Sequence, residues 1–196
     1  MSEIEIFGFE TGNNVKVRIA LEYKGLPYKF HSIDPAGRER VVALSGQLLT
    51  PVMRHGEVVL FDSGAILRYL DANFPESPRL FFGDRKTLVA IEGWETFSRA
   101  RLYAPLIEVV NYRLQGGEDP AVFEAAKPRF QAILSELSPA LAGREWLVGD
   151  SMTAADVTTA PVAARGITFG FCHRENVDPV VLEWVDRVVA YDRQPD

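Results

Sequence analysis

The sequence "LTPVMRHGEVVLFDSGAILRYL", residues 49–70, predicts a β-hairpin followed directly by a helix. Two short apolar runs, "TPVMRH" and "EVVLF", are separated by Gly56, which is typical of a hairpin turn. The second half of the stretch places Ile66, Leu67 and Leu70 on one face of a helix, which Pro75 brings to an end. This stretch therefore predicts an antiparallel pair of strands and a helix that covers them.

The residues before this stretch predict the rest of a small sheet. "EIEIFGF" alternates with a period of two and predicts a strand, and "NNVKVRIALEYKG" predicts a helix that stops at Gly25. "LPYKFHSID" predicts a second strand, and "PAGRERVVAL" predicts a short or irregular helix. The order is β-α-β-α-β-β-α. Because a strand–helix–strand start implies two parallel strands joined by a right-handed crossover, we predict a mixed sheet with helices on its faces.

The composition changes near residue 80, after which strand signals almost vanish. "PESPRLFFGDRK" holds prolines and a glycine in a polar stretch and is the best candidate for a linker. We therefore predict a first domain over residues 1–77, a linker over 78–85 and an all-helical domain over 86–196. The predicted helices of the second domain are about Arg85–Leu114 with a kink at Pro105, Pro120–Ala142, Thr153–Phe169 and Pro179–Tyr191.

Composition excludes several classes of function. The 196 residues are 47% hydrophobic, which is enough for a real core. With 21 Lys and Arg against 27 Asp and Glu, the net charge of −6 argues against a nucleic-acid partner reached by bulk electrostatics. No apolar run approaches the roughly 18 residues that span a membrane, and the N-terminus lacks an unbroken signal-peptide core. We expect a cytoplasmic protein with no membrane partner.

Cysteine and histidine usage limits the chemistry further. Cys172 is the only cysteine, so an intramolecular disulfide, a Cys-x-x-Cys redox pair and a multi-cysteine zinc site are excluded. The three histidines have no metal-ligand spacing, and we predict no metal. A lone cysteine is more often a small buried residue than a nucleophile.

The turn "ETGNNVKV" offers two interpretations. Thr11, Asn13 and Asn14 all suit a turn that enters a helix, so capping is the default. Alternatively, the Thr11 hydroxyl or the Asn13 amide donates a hydrogen bond to an anionic sulfur. Such a donor favours the thiolate, lowers the thiol pKa and supplies a nucleophile at neutral pH.

Three further motifs have both a structural and a functional interpretation. Pro51 is either an ordinary trans proline at a strand start or a cis proline that turns the Thr50 backbone toward a ligand. Asp62 and Ser63 are either a plain N-cap or an anion site at a helix N-terminus. Thr153 and Asp156, in contrast, have the spacing of a capping box, and we assign them a structural role.

Taken together in this order and spacing, these motifs resemble the cytosolic glutathione transferase superfamily over essentially the whole chain. The matching segments are the hydroxyl residue Thr11 after the first strand, "SGQLLTPVM" at the cis-proline segment, "LFDSGAILRYL", and "LVGDSMTAAD" at the capping-box helix. The resemblance implies a thioredoxin-like N-terminal domain, an all-helical C-terminal domain and glutathione as co-substrate. The turn "TGNNVKV" is similar to the "T-P-N-G-x-K-[IV]" turn of the nu class and of yeast prion-type relatives.

The resemblance implies roles for individual residues. Thr50, before a cis Pro51, would pair through its backbone with the cysteinyl part of glutathione. Asp62 and Ser63 would hold the γ-glutamyl end. Thr11 would activate the sulfur, with Asn13 as a second candidate donor, while Asn14 keeps the capping role.

The chain departs from the family pattern near the proline. Where the family often has "G-K-V-P", this chain has "LLTP", so the lysine that meets the glycyl carboxylate is missing. Gln47, Arg38 or Arg40 could substitute for it. The resemblance also implies a second-substrate pocket between the domains, for which Trp94, Phe97, Arg101 and Tyr103 are candidate lining residues; their alternative role is as core and surface of the helix.

The expected function is that of a glutathione transferase or a glutathione-dependent disulfide reductase or peroxidase. The protein would bind glutathione, stabilise its thiolate and present it to an electrophilic or disulfide substrate. The alternative is a non-catalytic adaptor of the same fold that binds other proteins, which Leu48 and Leu49 in place of Gly-Lys favour. By analogy with the family, we expect a homodimer.

Overall fold

The computed structural model describes residues 2–193. Within that range, four strands form one sheet, and their bounds are β1 Ile4–Gly8, β2 Tyr28–Ser32, β3 Val52–His55 and β4 Val58–Leu60. Three helices alternate with them: α1 Gly12–Tyr23, α2 Glu39–Ser45 and α3 Ser63–Asn73. Six α-helices follow: α4 Arg85–Phe97, α5 Ala104–Leu114, α6 Pro120–Ser135, α7 Leu137–Leu141, α8 Ala154–Thr168 and α9 Pro179–Val189.

The sheet has the predicted mixed topology. Its strand order is β2-β1-β3-β4, with β1 and β2 parallel and the other two pairs antiparallel. Ile6 lies opposite Phe30 on one side and Met53 on the other. Gly56 adopts a φ of 60° between β3 and β4, a conformation that glycine reaches at no steric cost. The β-α-β-α-β-β-α order expected from the sequence is confirmed.

The central strands β1 and β3 are buried on both faces, which explains the apolar residues of β1 and of the start of β3. Phe7 and Val52, paired in the β1–β3 ladder, pack with Val41 of α2 and with Ile33. On the opposite face, Ile6 is fully buried, as are the apolar stripes of α1 and α3, which pack against each other. The end of β1 and the start of β3 are therefore packed against helix α2. The residues after β1 and before β3 are held in place by this packing.

The chain divides into two compact units. The first comprises the residues up to Phe81 together with the segment that begins at Ala190, and the second is Phe82–Val189. In the first unit, the carboxylate of Asp192 accepts hydrogen bonds from the fully buried Arg18, at 2.7 and 3.0 Å. The domain boundaries drawn from the sequence placed this segment with the helical domain, and the outermost positions, 1 and 194–196, lie outside the described residues.

The second unit is helical, as predicted, but two of its helices are interrupted. The helix expected over 85–114 divides at a π-helical turn, Ser98–Leu102, and Pro105 is the second residue of the helix that follows. A proline lacks the N–H needed to continue a preceding helix, which accounts for a break just before it. The helix expected over 120–142 also divides, after Ser135.

The predicted capping box is present at the start of α8. Asp156 accepts hydrogen bonds from the N–H and hydroxyl of Thr153, from the Leu147 N–H and from the Trp184 indole, all within 3.0 Å. Burial raises the pKa of Asp156, although these four donors act in the opposite direction. The structural role that the sequence assigns to Thr153 and Asp156 is confirmed.

Candidate functional site

Thr11 begins α1 and faces the end of β1. Its backbone is extended (φ −131°, ψ 157°), and its hydroxyl oxygen accepts the backbone N–H of Asn14 at 3.4 Å, which makes Thr11 the N-cap. The same oxygen accepts the Asn14 side-chain amide at 2.7 Å. Within residues 2–193, the hydroxyl accepts these two hydrogen bonds and donates none. The half-buried Thr11 hydroxyl therefore keeps its proton for a further acceptor.

Asn14 is not the cap that the sequence analysis made it. It lies inside the first turn of α1 with none of its surface exposed. Its side-chain nitrogen donates to Thr11 and also to the hydroxyl of Thr50, 3.1 Å away and 36 residues further along the chain. Asn14 thus joins the turn after β1 to the segment before β3.

The turn also meets the start of α3. The Ser63 hydroxyl donates to the side-chain oxygen of the exposed Asn13 at 3.4 Å, across 50 residues of sequence. Asp62 is the N-cap of α3, because its Oδ1 accepts the Ala65 N–H at 2.8 Å. Asn13 and Ser63, two of the residues predicted for the site, are therefore neighbours.

The peptide bond between Thr50 and Pro51 is cis, as the resemblance implied. Thr50 is half-buried and Pro51 is buried just before β3. Through Asn14, Thr50 lies one side chain away from Thr11. The structure therefore brings together Thr11, Asn13, Thr50 and Ser63 from three separate segments of the first unit.

The Gln47 side chain is already hydrogen-bonded and is not free to join Thr11, Asn13, Thr50 and Ser63. Its amide nitrogen donates to Ser45 Oγ at 2.8 Å and to the Leu49 carbonyl at 3.0 Å, while its oxygen accepts the Leu49 N–H. Arg38 donates to the carbonyls of Pro35 and Leu48. The guanidinium of Arg40 lies over the Phe7 ring, 4.6 Å from its centroid. These three candidates for a glycyl carboxylate are engaged in contacts within the first unit.

The local electrostatics favour an anion at the starts of α1 and α3. The first N–H groups of a helix lack intrahelical partners, and the helix dipole adds positive potential there. Neither α1 nor α3 carries an acidic residue in its first turn, and the carboxylate of the N-cap Asp62 takes only the Ala65 N–H of α3. A thiolate or carboxylate placed against these two turns would be stabilised.

The four residues expected to line a second-substrate pocket all lie in the second unit. Trp94 and Phe97 are half-buried and pack edge to face with ring centroids 5.1 Å apart. The Arg101 guanidinium lies 5.3 Å from the Phe97 centroid and makes two hydrogen bonds to Glu136, at 2.7 and 2.8 Å. Tyr103 is half-buried at the start of α5. Three of the four, Trp94, Phe97 and Arg101, therefore form one contiguous cluster.

Other chemistries receive no support from the described part of the chain. Cys172 is buried, and burial raises the pKa of its thiol, so little thiolate forms at neutral pH. Between residues 2 and 193, no group of three or more His, Cys, Asp or Glu side chains is arranged to hold a metal ion. No helix in that range has the length and apolar character needed to cross a bilayer.

Sequence reasoning missed the roles of Asn14 and Gly8. A β-carbon on Gly8, the last residue of β1, would lie 1.7 Å from the Asn14 side-chain oxygen, so only glycine leaves room for this amide. One sequence signal could have indicated a buried role for Asn14: it is a polar residue in the first turn of a helix that continues with buried residues. No sequence signal could have indicated its contact with Thr50, which depends on how the sheet is assembled.

Comparison with known proteins assigns the family. Residues 6–78 match the family described as "Glutathione S-transferase, N-terminal domain", and residues 93–192 match "Glutathione S-transferase, C-terminal domain". The chain is 28% identical over 185 residues to "Glutathione S-transferase-like protein LUC7" from Fusarium sp, covering 86% of this chain and 78% of that protein. It is 25% identical over 154 residues to "Stringent starvation protein A homolog" from Haemophilus ducreyi, covering 76% and 68%.

The fold is also that of solved structures. "Ure2p in Complex with Glutathione" superposes with a TM-score of 0.80 at 19% identity, covering 95% of this chain and 89% of that chain. At this identity the likeness concerns the fold alone. Both halves of the chain match the family in the expected order, and together the two matches cover most of its length. The chain therefore belongs to the cytosolic glutathione transferase superfamily.

Proposed function

We propose that this protein binds glutathione against the starts of α1 and α3 and activates its sulfur. The observation that carries the proposal is the convergence of Thr11, Asn13, Thr50 and Ser63, which the Asn14 and Ser63 hydrogen bonds hold together. These are residues that the family resemblance assigns to glutathione. A solved structure of the same fold, Ure2p in complex with glutathione, carries this ligand, which supports glutathione as a ligand of the fold.

The γ-glutamyl end of glutathione would meet the start of α3. Its α-carboxylate suits the Ser63 hydroxyl, whose one proton would turn from Asn13 Oδ1 to the carboxylate, and the N–H groups of the first turn that Asp62 does not cap. Its ammonium suits the carboxylate of Asp62, which is exposed and uses Oδ1 for the Ala65 N–H. We include Thr50 for the cysteinyl part through its backbone, next to the cis Pro51.

We leave Gln47 out of the direct contacts. Among residues 2–193, its side chain makes hydrogen bonds to Ser45, the last residue of α2, and to Leu49. Binding a glycyl carboxylate would require breaking them, and each such hydrogen bond contributes about 1 kcal/mol. In this proposal, Gln47 shapes the loop that precedes Thr50.

The sulfur of glutathione would lie beside Thr11. The Thr11 hydroxyl has a proton to donate, and the Asn13 amide is exposed next to it. A hydrogen bond to the thiolate lowers the thiol pKa and raises the fraction of nucleophile at neutral pH. The thiolate then attacks an electrophilic carbon, forming a sulfur–carbon bond while the leaving group departs with its electron pair. With a disulfide substrate, attack forms a mixed disulfide with glutathione and releases a thiolate.

A calorimetric titration with glutathione tests the proposal. We expect binding by the wild-type protein and a weakening of at least tenfold in Ser63→Ala. S-methylglutathione, which has no thiol, should bind with similar affinity if the γ-glutamyl contacts dominate. Turnover with a chloronitrobenzene and with a small disulfide would then identify conjugation or reduction. Absence of heat at millimolar glutathione would contradict the proposal.

One observation favours a second function, that of a non-catalytic adaptor. Leu48 and Leu49 are 57% and 68% exposed in the loop before Thr50, and such apolar exposure is typical of protein-binding surfaces. A relative of this chain has a name, stringent starvation protein A homolog, that describes no transferase. The calorimetric titration separates the two functions, because an adaptor has no need to bind glutathione.

Three further expectations remain proposals. We propose that the Trp94, Phe97 and Arg101 cluster, with Tyr103, contacts the second substrate; substituting Phe97 by Ala should change KM for an aromatic electrophile.

We also propose a homodimer, to be measured by light scattering, and a cytoplasmic location. In the dimer we expect exposed apolar side chains such as Phe61, Leu88 and Val89 to become buried.

A further inference from the structure

We propose that Asn14 is the positioning residue that directs the Thr11 hydroxyl proton toward the glutathione sulfur. This inference rests on the proposed function and assigns a role toward the sulfur to a residue for which the turn motif indicates only helix capping. It follows from the hydrogen bonds, the burial and the surroundings of one side-chain amide.

The Asn14 amide uses its two hydrogens on two hydroxyl groups. Its nitrogen lies 2.7 Å from Thr11 Oγ1 and 3.1 Å from Thr50 Oγ1, which are both within hydrogen-bond distance. An amide NH₂ group has two donors and no acceptor capacity. Both threonine oxygens therefore act as acceptors toward Asn14.

The direction of the Thr11 proton follows from these bonds. A hydroxyl group has one proton and two acceptor sites, and Asn14 approaches Thr11 Oγ1 with two donors: its side chain at 2.7 Å, and at 3.4 Å its backbone N–H, which is shared with the Thr11 carbonyl at 3.0 Å. The proton is consequently left to point away from Asn14. Without Asn14, the hydroxyl could rotate and donate to another acceptor.

The environment of the amide oxygen fixes its orientation. Asn14 Oδ1 is buried, has no hydrogen-bond partner and lies against Gly8, where a β-carbon would be 1.7 Å away. If the amide were reversed, its NH₂ group would face the Gly8 backbone in this tight space. Two buried donors without an acceptor cost more than one unpaired carbonyl oxygen. The orientation with NH₂ toward the threonines is therefore favoured.

Burial gives these hydrogen bonds their effect. Asn14 is completely inaccessible to solvent, so in the folded protein its two donors do not exchange with water and stay on the two threonine hydroxyls. The network also links Thr11 to Thr50, so a cysteinyl group paired with the Thr50 backbone has its sulfur close to the Thr11 hydroxyl. Asn14 acts through Thr11 and would not itself touch glutathione.

A double-mutant cycle with Thr11→Ala and Asn14→Ala tests this inference. The main readout is the pKa of the bound glutathione thiol, measured from the ultraviolet absorbance of the thiolate as a function of pH. We expect Asn14→Ala to raise that pKa by about one unit, which lowers the thiolate fraction and kcat about tenfold at neutral pH, with KM for glutathione changing less. In the Thr11→Ala background, Asn14→Ala should cause no further rise.

Ser98→Ala is a matched control in the second unit. Ser98 is also buried, and its substitution by Ala removes one hydrogen bond, from the Ser98 hydroxyl to the Thr158 carbonyl at 3.0 Å. It should reduce thermal stability without changing the thiol pKa. This control separates the general cost of removing a buried polar group from an effect on the sulfur.

The possible outcomes are distinct for the two proposals. If wild-type protein does not bind glutathione, the proposed function fails and this inference fails with it. If the wild type binds and Thr11→Ala raises the thiol pKa but Asn14→Ala does not, only the role of Asn14 is overturned. Equal increases from Asn14→Ala in both backgrounds would also overturn it, since Asn14 would then act independently of Thr11.

Discussion

The Ser63 hydroxyl lies 3.4 Å from the side-chain oxygen of Asn13, although 50 residues separate them. Each residue belongs to the first turn of a helix, Asn13 to α1 and Ser63 to α3. The contact places two helix N-termini side by side, each with unpaired N–H groups. Such a pair suits a ligand with two negatively charged groups, as the γ-glutamyl carboxylate and the central thiolate of glutathione would be.

Ser63→Ala should weaken glutathione binding by about 10- to 100-fold, since a hydrogen bond to a charged group contributes about 1.5–3 kcal/mol. Calorimetric titration measures the change. Ser77→Ala is the control, because the Ser77 hydroxyl donates to the Phe74 carbonyl near the opposite end of α3. Equal affinities of Ser63→Ala and wild type would contradict the placement of the γ-glutamyl end.

Thr11→Ala should lower kcat more than it weakens glutathione binding, because the hydrogen bond matters most to the thiolate. We expect a loss in kcat of about 10- to 100-fold, the effect of one hydrogen bond to a charged group. Thr11→Ser retains the hydroxyl and should restore most of the activity. If turnover is unchanged in Thr11→Ala, the sulfur must be activated by Asn13 or by a backbone N–H.

Gly8→Ala should destabilise the first unit by about 1–3 kcal/mol, as overpacking of a filled site does. The new β-carbon would meet Asn14 Oδ1 at 1.7 Å. Gly12→Ala is the matched comparison: its β-carbon would have no atom within 4 Å, and we expect it to stabilise by up to about 1 kcal/mol. Denaturant unfolding of both variants checks the prediction, and a tolerated Gly8→Ala would contradict the packing at β1.

Asp71→Asn should change the acid stability of the first unit. Burial alone would raise the pKa of Asp71, but hydrogen bonds from Arg79, the Leu80 N–H and Lys24 outweigh it and lower the pKa below 3.8. A lowered pKa means that ionised Asp71 stabilises the fold above pH 3.8, and this contribution is lost as the pH falls from there through the folded-state pKa.

The unfolding free energy of wild type should therefore fall more steeply with decreasing pH, below about pH 4, than that of Asp71→Asn. At neutral pH the variant should be less stable by about 3–5 kcal/mol, because Lys24 is left buried without its charge partner. Denaturant unfolding at several pH values tests both statements. Parallel pH profiles for the two proteins would show that Asp71 contributes nothing to the acid transition.

Cys172 should react slowly with thiol reagents. It is 3% exposed, and burial raises the pKa of its thiol. We expect a rate on the order of a hundredfold below that of the chain in denaturant. Cys172→Ser should keep glutathione affinity and turnover, since the proposed chemistry uses the thiol of glutathione. Loss of turnover in this variant would indicate a thiol of the protein in the mechanism.

The fold was largely predictable because its signals are local. Three signals each depend on a few neighbouring residues: the period-two alternation that predicts strand β1, the hairpin turn at Gly56, and the end of helix α1 at Gly25. All three elements are present in the structure. The capping box joins Thr153 to Asp156, three positions further along the chain, and was equally predictable. The interruption of the long helix before Pro105 was not predictable from the sequence, because its π-helical turn depends on how the helices pack.

The candidate site was predictable in its members more than in their arrangement. The motifs indicated Thr11, Thr50 and Ser63, and the structure places them near one another through Asn14 and Asn13. The capping role, however, belongs to Thr11 and not to Asn14, to which the sequence analysis assigned it. Both Thr and Asn favour helix starts, so propensity could not distinguish the N-cap Thr11 from the buried Asn14.

The sequence by itself determined the order of strands and helices, the family and the residue types available for chemistry. The tertiary structure decided that Asn14 bridges Thr11 and Thr50, that Gln47 bonds within its own loop, and that Asp192 pairs with Arg18 in the first unit. The reason is physical: periodicity and caps report interactions between residues a few positions apart. The hydrogen bonds that join residues 14 to 50 and 18 to 192 form only after the sheet and helices have packed, and no local pattern encodes them.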